Sequence, residues 1–392
     1  MSSDRVSRIG GYDDLRRLGR RRVPRGVFEF VEGGAGGEIT VRDNRAAFEG
    51  VRFEPRWLRD VSGREIATTV LGERLALPVG LAPAGLARLV HRDGELAAAR
   101  AAGAAGTVFC VSIASSFSIE EIADVATGPL WLQLYLWKSE NVVAGLVERA
   151  RAAGYRALVL TVDTPAVGNR ERDVRNGASL PPRVRVDTAL DALRRPRWLY
   201  DFARGSTITF ANLREVVGSS GGGGIGAYVD RELNDPSATW ERLDWLRRLW
   251  DGPLAVKGIL SPDDAREAVR RGADAVYVSN HGGRQLDGSL ATLDALPRIV
   301  EAVGDRAEVL LDGGVRRGDD VVKAVALGAR ACFVGRPWFM GLAAAGQDGV
   351  ARMLDVMARD VDRTLALVGV PRIADVDSGV LFEQSFGRER ES

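Results

Sequence analysis

Only two histidines occur in the 392 residues of this chain, and one of them stands in the stretch VSNHGGRQLD. His281 follows an apolar run, precedes a Gly-Gly turn and is close in sequence to Arg284. Imidazole is the side chain whose ionisation suits proton abstraction near neutrality. A guanidinium grips a planar carboxylate through two parallel hydrogen bonds. Together they describe a site that binds a carboxylate and removes a proton beside it. A lone histidine more often packs or caps than reacts, so His281 has to be weighed with its company. That company is the set of polar residues closing the other apolar runs: Pro83-Ala84-Gly85, Ser112, Gln133 with Tyr135, Thr161 with Asp163, Lys257, Ser279, Asp312-Gly313-Gly314 with Arg316, and Gly335-Arg336.

DGGVRRG and GRP set glycine N–H groups and two arginines where α/β barrels commonly bind phosphate. Tight turns and solvated rim arginines would explain either motif alone, and explain both less well. Lys257 ends the run PLAVK, where it either points a cation at the barrel mouth or runs its stem along apolar surface to solvent.

These residues need a scaffold that gathers strand ends. From residue 77 onward, eight apolar runs alternate with amphipathic stretches: LPVGLAP, GTVFCVS, LWLQLY, ALVLTVD, PLAVKG, ADAVYVSN, AEVLLDGG and ARACFVG. Uninterrupted apolar runs suit parallel strands buried on both faces, and segments such as SENVVAGLVERARAAGY and SPDDAREAVRRGA suit crossover helices with serine caps. The pattern predicts an α/β fold of the (β/α)8 TIM-barrel type. Its expected organisation is one domain over 1–392: an N-terminal helical cap (1–76), the barrel (77–370) with a long insertion after strand 4 (about 177–238), and a tail (371–392). The insertion reads as a lid or a partner-binding loop. Its Gly221, Gly223 and Gly226 satisfy G-x-G-x-x-G, a weak match because no strand precedes it.

Composition narrows the classes further. Lys plus Arg number 54 and Asp plus Glu 53, so no global field draws nucleic acid. Cys110 and Cys332 lie inside apolar runs and read as buried thiols, which fits a reducing compartment. The polar, basic N-terminus has no apolar core of a secretory signal, so a cytoplasmic location is expected. The uncharged run AAGAAGTVFCVSIASSFSI carries glycines and serines that argue for a helix end, a turn, a strand and a loop rather than a membrane span.

LWLQLY, LTVDTPAVGNRERD, LAVKG, VSNHGGRQLDG, LLDGGVRRGDDVVKAVALGA and FVGRP, with GGAGGEITVRDNRAAFEGVRFEPR in the cap, resemble the FMN-dependent (S)-2-hydroxy acid oxidases and dehydrogenases. That family includes glycolate oxidase, lactate oxidase and dehydrogenase, and mandelate dehydrogenase, and the likeness runs in register from about residue 12 to 370. It implies FMN as cofactor, His281 as base, and Asp163 hydrogen-bonding the imidazole. It implies Arg170 and Arg284 on the substrate carboxylate and Tyr135 on its hydroxyl. Lys257 would sit by the flavin N1–C2=O edge. Pro83, Ala84, Gly85, Ser112, Gln133, Thr161 and Ser279 would line the ring, Asp312 would hold the ribityl chain, and Gly313, Gly314, Arg316, Gly335 and Arg336 would bind phosphate.

The chain departs from the family at two positions. A cap tyrosine common in the family is Phe30 here, and a tryptophan of glycolate oxidase is Ala114. Both changes point to a larger substrate, such as mandelate or 4-hydroxymandelate, over a small polar acid. A lactate enzyme and a flavin-dependent tailoring enzyme acting on a modified peptide or secondary metabolite stand as alternatives. The resemblance further implies a homo-oligomer, a tetramer, with oxygen or another electron acceptor as second substrate. The insertion resembles the long loop that anchors some relatives to membrane, and Trp198, Tyr200 and Phe202 among arginines are compatible with that. Its acidic residues and modest hydrophobicity favour a soluble lid.

Overall fold

The structure, a computed structural model, describes residues 6–176, 186–205, 208–213 and 235–382. A short antiparallel hairpin comes first among the strands, β1 (Thr68–Val70) and β2 (Glu73–Leu75). The barrel follows as β3 (Val79–Leu81), β4 (Phe109–Ser112), β5 (Leu130–Tyr135), β6 (Ala157–Thr161), β7 (Leu254–Ile259), β8 (Ala275–Val278), β9 (Glu308–Leu311) and β10 (Ala331–Val334). All neighbours pair in parallel, and β10 returns to β3 to close the ring. The eight expected runs are the eight barrel strands.

Each strand is buried on both faces, but the two faces do different work. Outward residues such as Leu132, Leu134, Leu158, Leu160, Val276 and Val278 join one apolar cluster with the surrounding helices. Inward residues form a separate cluster in which Cys110, Trp131, Val159, Tyr277, Leu310 and Phe333 fill the barrel axis. Trp131 and Tyr277 flank Phe333, with ring centroids 5.4 and 5.0 Å away. Val70 and Leu75 of the hairpin belong to the inward cluster and plug the barrel floor. The hairpin was not anticipated, because TTVLGERL is too short to show a period of its own.

Among the crossover helices, the expected serine cap is made at one place and not at another. Ser261 accepts from the Asp263 N–H at 3.2 Å, with Pro262 in the first turn. Ser139 precedes the helix Glu140–Ala152 without a side-chain cap. The cap region consists of the helices Tyr12–Arg22, Arg25–Glu32 and Ile39–Gly50. The first approaches the helix Arg336–Ala345 so closely that a Cβ on Gly19 would lie 3.1 Å from that of Ala343. Both cysteines are buried and unpaired. No helix among the described residues is long and apolar enough to cross a membrane, and the run 101–119 is a helix end, a turn, β4 and a loop.

The described part of the insertion includes the helices Val186–Leu193 and Pro196–Arg204. Trp198 is buried there, donates from Nε1 to the Leu89 carbonyl at 2.8 Å and stacks on Phe202. That bond ties the insertion to the loop after β3. Tyr200 stays exposed under the Arg204 guanidinium. The glycine-rich segment with Gly221, Gly223 and Gly226 lies outside the described residues.

Candidate active site

Inward positions recur every second residue, so continuing each strand toward its C-terminal end brings the next inward side chain into the barrel mouth. After Cys110 comes Ser112, after Trp131 come Gln133 and Tyr135, and after Val159 come Thr161 and Asp163. After Ala255 comes Lys257, after Tyr277 comes Ser279, and after Leu310 comes Asp312. The register confirms the layer, with Ser112 beside Gln133, Tyr135 beside Thr161, and Thr161 beside Lys257.

Lys257 is buried, donates to the Ser279 hydroxyl at 2.7 Å and lies 3.2 Å from Asp312 Oδ2. Burial pushes its pKa down, but Asp312 and Asp163 outweigh burial and hold it above the ordinary lysine value. The strand shifts register between Lys257 and Ile259. Gly258 there has φ +108, and a Cβ on it would sit 2.7 Å from the Asp163 Cβ. The irregularity therefore needs glycine, and it lets β7 come up against Asp163 while Lys257 stays aimed inward.

His281 has a left-handed backbone, φ +57, and its N–H donates to Ser279 Oγ at 3.1 Å. Its Nδ1 lies 2.9 Å from Asp163 Oδ1. Burial raises the Asp163 pKa, but the His281 contact and the Lys257 charge more than offset it, and the net shift is downward. An ionised Asp163 favours a proton on Nδ1, leaving Nε2 with a free lone pair. Gln285 fixes the loop that follows Asp163, donating to the Asp163 and Ala166 carbonyls at 3.0 and 2.9 Å.

Arg284 donates from Nη1 to the Phe30 and Gly33 carbonyls, each at 2.8 Å, and its guanidinium lies over the Phe30 ring at 5.2 Å. Its carbonyl receives the Arg170 Nε at 3.4 Å. Burial first, then the charges of Arg170 and Arg336, press the Arg284 pKa well down. Asp173 offsets only part of this, and a bound carboxylate would relieve more of it. Tyr135 closes this wall, its pKa raised by burial and then by the Asp163 charge. Ala114 follows β4, donates from its N–H to the Ser112 hydroxyl oxygen at 3.2 Å and abuts Gly85, where a Cβ would lie 2.8 Å from its own.

The expected phosphate residues are together, but their guanidiniums are engaged with protein. Arg336 donates to the carbonyls of Glu32, Gly282 and Gly33, and burial followed by the Arg316 charge lowers its pKa to about 10. Arg316 lies over the Tyr12 ring, 4.7 Å from its centroid. Gly313 and Gly314, both at φ +90, carry the turn beside them, and Gly335 begins the helix Arg336–Ala345.

Four buried oxygen or nitrogen atoms of the mouth have no hydrogen-bond partner among the described residues: Gln133 Nε2, Thr161 Oγ1, Asp163 Oδ2 and Asp312 Oδ1. Orphaned polar atoms are costly and rare in folded proteins. Their concentration here, beside the Lys257 cation, fits a polar-edged planar cofactor with a hydroxylated tail.

The family model of the FMN-dependent dehydrogenases matches residues 19–383. The chain belongs to the FMN-dependent dehydrogenase family. It is 44% identical to an L-lactate oxidase of Nostoc sp. over 372 residues, 94% of this chain and 96% of that protein. It is 42% identical to 2-hydroxyacid oxidase 1 of Homo sapiens over 366 residues, 93% of this chain and 94% of that one. The solved structure of the monotopic membrane protein (S)-mandelate dehydrogenase superposes with a TM-score of 0.91 at 41% identity, covering 96% of this chain and 99% of the other. This family member uses FMN and oxidises a 2-hydroxy acid. Sequence reasoning assigned no role to Asn44, Asn280, Thr292 or Gln285. Asn280 and Gln285 stood within the quoted VSNHGGRQLD, but their partners are distant in sequence.

Proposed function

We propose that the substrate is an (S)-2-hydroxy acid with a large or aromatic side chain, of the mandelate or 4-hydroxymandelate type, oxidised to the 2-oxo acid. The observation that carries the reaction is the His281–Asp163 contact at 2.9 Å, with Arg284 and Arg170 beside it. Arg284 and Arg170 hold the substrate carboxylate, and Tyr135 orients the hydroxyl. His281 Nε2 then takes a proton from the reacting centre while Asp163 holds the Nδ1 proton and stabilises the imidazolium. Bound FMN supplies the two-electron acceptor. Lys257 favours negative charge on whatever it faces, with Asp312 and Ser279 fixing its ammonium.

Gln133, Thr161, Ser112, Ser279, Asp312 and the backbone at Pro83, Ala84 and Gly85 hold the cofactor on this reading. Gly313, Gly314, Arg316, Gly335 and Arg336 surround its phosphate. The large-substrate reading rests on Ala114, a small side chain at the mouth, and on Phe30, which presents a ring without a hydroxyl beneath Arg284. The likeness to (S)-mandelate dehydrogenase supports it. The comparable identity to L-lactate oxidase keeps (S)-lactate as the second reading. Steady-state comparison separates them: a higher kcat/KM for (S)-mandelate than for (S)-lactate is expected, and the reverse order overturns the proposal.

A further inference from the structure

His281 is one of three consecutive left-handed residues, at φ +57, followed by Gly282 at +64 and Gly283 at +73. Glycine takes this conformation freely, whereas a residue with a Cβ takes it only when its surroundings hold it there. The turn is closed by the Gly283 N–H on the Asn280 carbonyl at 2.9 Å and by the His281 N–H on Ser279 Oγ, and the Asn280 side chain adds a further restraint. Asn280 Oδ1 accepts the Gly283 N–H at 3.1 Å, and Asn280 Nδ2 donates to the Leu290 carbonyl at 3.0 Å. The rest of that amide is spent on a residue of the cap. Asn280 Nδ2 donates to Asn44 Oδ1 at 2.8 Å, and Asn44 Nδ2 donates back to Asn280 Oδ1 at 2.9 Å.

Asn44 is buried on the helix Ile39–Gly50, and its Oδ1 also accepts the Thr292 N–H at 3.2 Å. Every donor and acceptor of the Asn280 side chain is thereby used. The pair also lies against the turn after Asp312. A Cβ on Gly313 would meet Asn280 Oδ1 at 3.2 Å, and one on Gly314 would meet the Asn44 carbonyl oxygen at 2.4 Å. A reciprocal amide pair thus fixes the orientation of Asn280, and Asn280 fixes the turn on which the imidazole is mounted.

We propose that Asn44 is a positioning residue for the reaction: from the cap helix, through its reciprocal amide pair with Asn280, it holds the left-handed turn that points His281 at Asp163. This inference rests on the reading of His281 as the base.

The chain's two histidines make the test direct. With [15N]histidine in the FMN-loaded protein, and His91→Gln to assign the two rings, the His281 Nδ1–H proton reports the Asp163 contact without reference to turnover. Asn44→Ala is expected to speed solvent exchange of that proton tenfold or more. Anaerobic flavin reduction by substrate should slow about tenfold, with the Kd for FMN unchanged within twofold. In an Asn280→Ala background the same substitution should alter the reduction rate less than twofold, because Asn44 acts through Asn280. Asn44→Asp keeps the volume and the oxygen facing Thr292 but loses the donor to Asn280, and it gives the same readout if the alanine variant does not fold. Unchanged proton exchange and reduction rate in these variants would overturn the proposal, as would a loss of rate that only tracks lost FMN. His281→Gln, run alongside, separates the two ideas: an undiminished rate there removes the base, whereas an essential His281 with unaffected Asn44 variants removes only the positioning role.

Discussion

The barrel interior holds two layers built from the same strands, and they differ in kind. Toward the floor, Trp131, Val159, Tyr277, Leu310 and Phe333 fill the axis with rings and branched chains. One pleat further on, Gln133, Thr161, Ser279, Asp312 and the Lys257 ammonium take the inward positions, with polar atoms left unpartnered. Burying polar groups without partners costs stability, while filling an axis with apolar side chains gains it. Among the described residues both layers leave polar atoms unpartnered, but at the floor these are the edges of two packed rings, Trp131 Nε1 and Tyr277 Oη, whereas the mouth lines itself with polar side chains. At the barrel mouth a cofactor and substrate can satisfy what the protein leaves open.

The difference can be broken from either side, and the largest effect belongs to the floor. Phe333→Ala removes a buried ring that touches Trp131 and Tyr277, and should cost about 3–5 kcal/mol of stability. Turnover per folded, flavin-loaded molecule should stay within a few-fold of the parent, as chemical denaturation paired with activity per bound flavin would show. Arg284→Lys makes the opposite trade. It keeps a charge but loses the planar fork that can grip a carboxylate while Nη1 is held by the Phe30 and Gly33 carbonyls, and should lower kcat/KM by about a hundredfold, from about 3 kcal/mol of a desolvated ion contact. Its melting temperature should move little by comparison.

The Asp163 carboxyl sharpens the comparison through pH. Its folded pKa lies below the ordinary carboxylate value, so its pairing with His281 stabilises the fold above that ordinary value and loses this contribution as pH falls through the folded pKa. The stability gap between the parent and Asp163→Asn should therefore narrow as pH falls below about pH 4. A gap that failed to narrow below about pH 4 would contradict the shift. The smallest effect is expected at the substrate end. Phe30→Tyr supplies a hydroxyl beneath the carboxylate site and should raise kcat/KM for a small acid such as glycolate several-fold relative to mandelate, about 1 kcal/mol.

The barrel was legible because parallel strands buried on both faces write themselves as apolar runs, from LWLQLY to ARACFVG. The mouth was legible for a related reason. A polar residue closing such a run falls on the inward face by parity, as Gln133, Thr161 and Lys257 do. What could not be read depends on contacts distant in sequence. Asn44 and Asn280 carry no sign of their pairing in their own neighbourhoods, and Arg336 gives no hint that its guanidinium spans Glu32, Gly33 and Gly282. Ser139 fits the pattern of a cap as well as Ser261 does, yet only Ser261 makes the bond.

The central claim is that the His281–Asp163 pair at the mouth removes the substrate proton. The most direct test mixes FMN-loaded protein with (S)-mandelate without oxygen and follows the flavin absorbance in the parent and in His281→Gln. General-base removal is worth about 10²–10⁴-fold, so the parent should bleach rapidly and the variant slower by that factor while keeping its FMN. A variant that bleaches as fast as the parent would contradict the account.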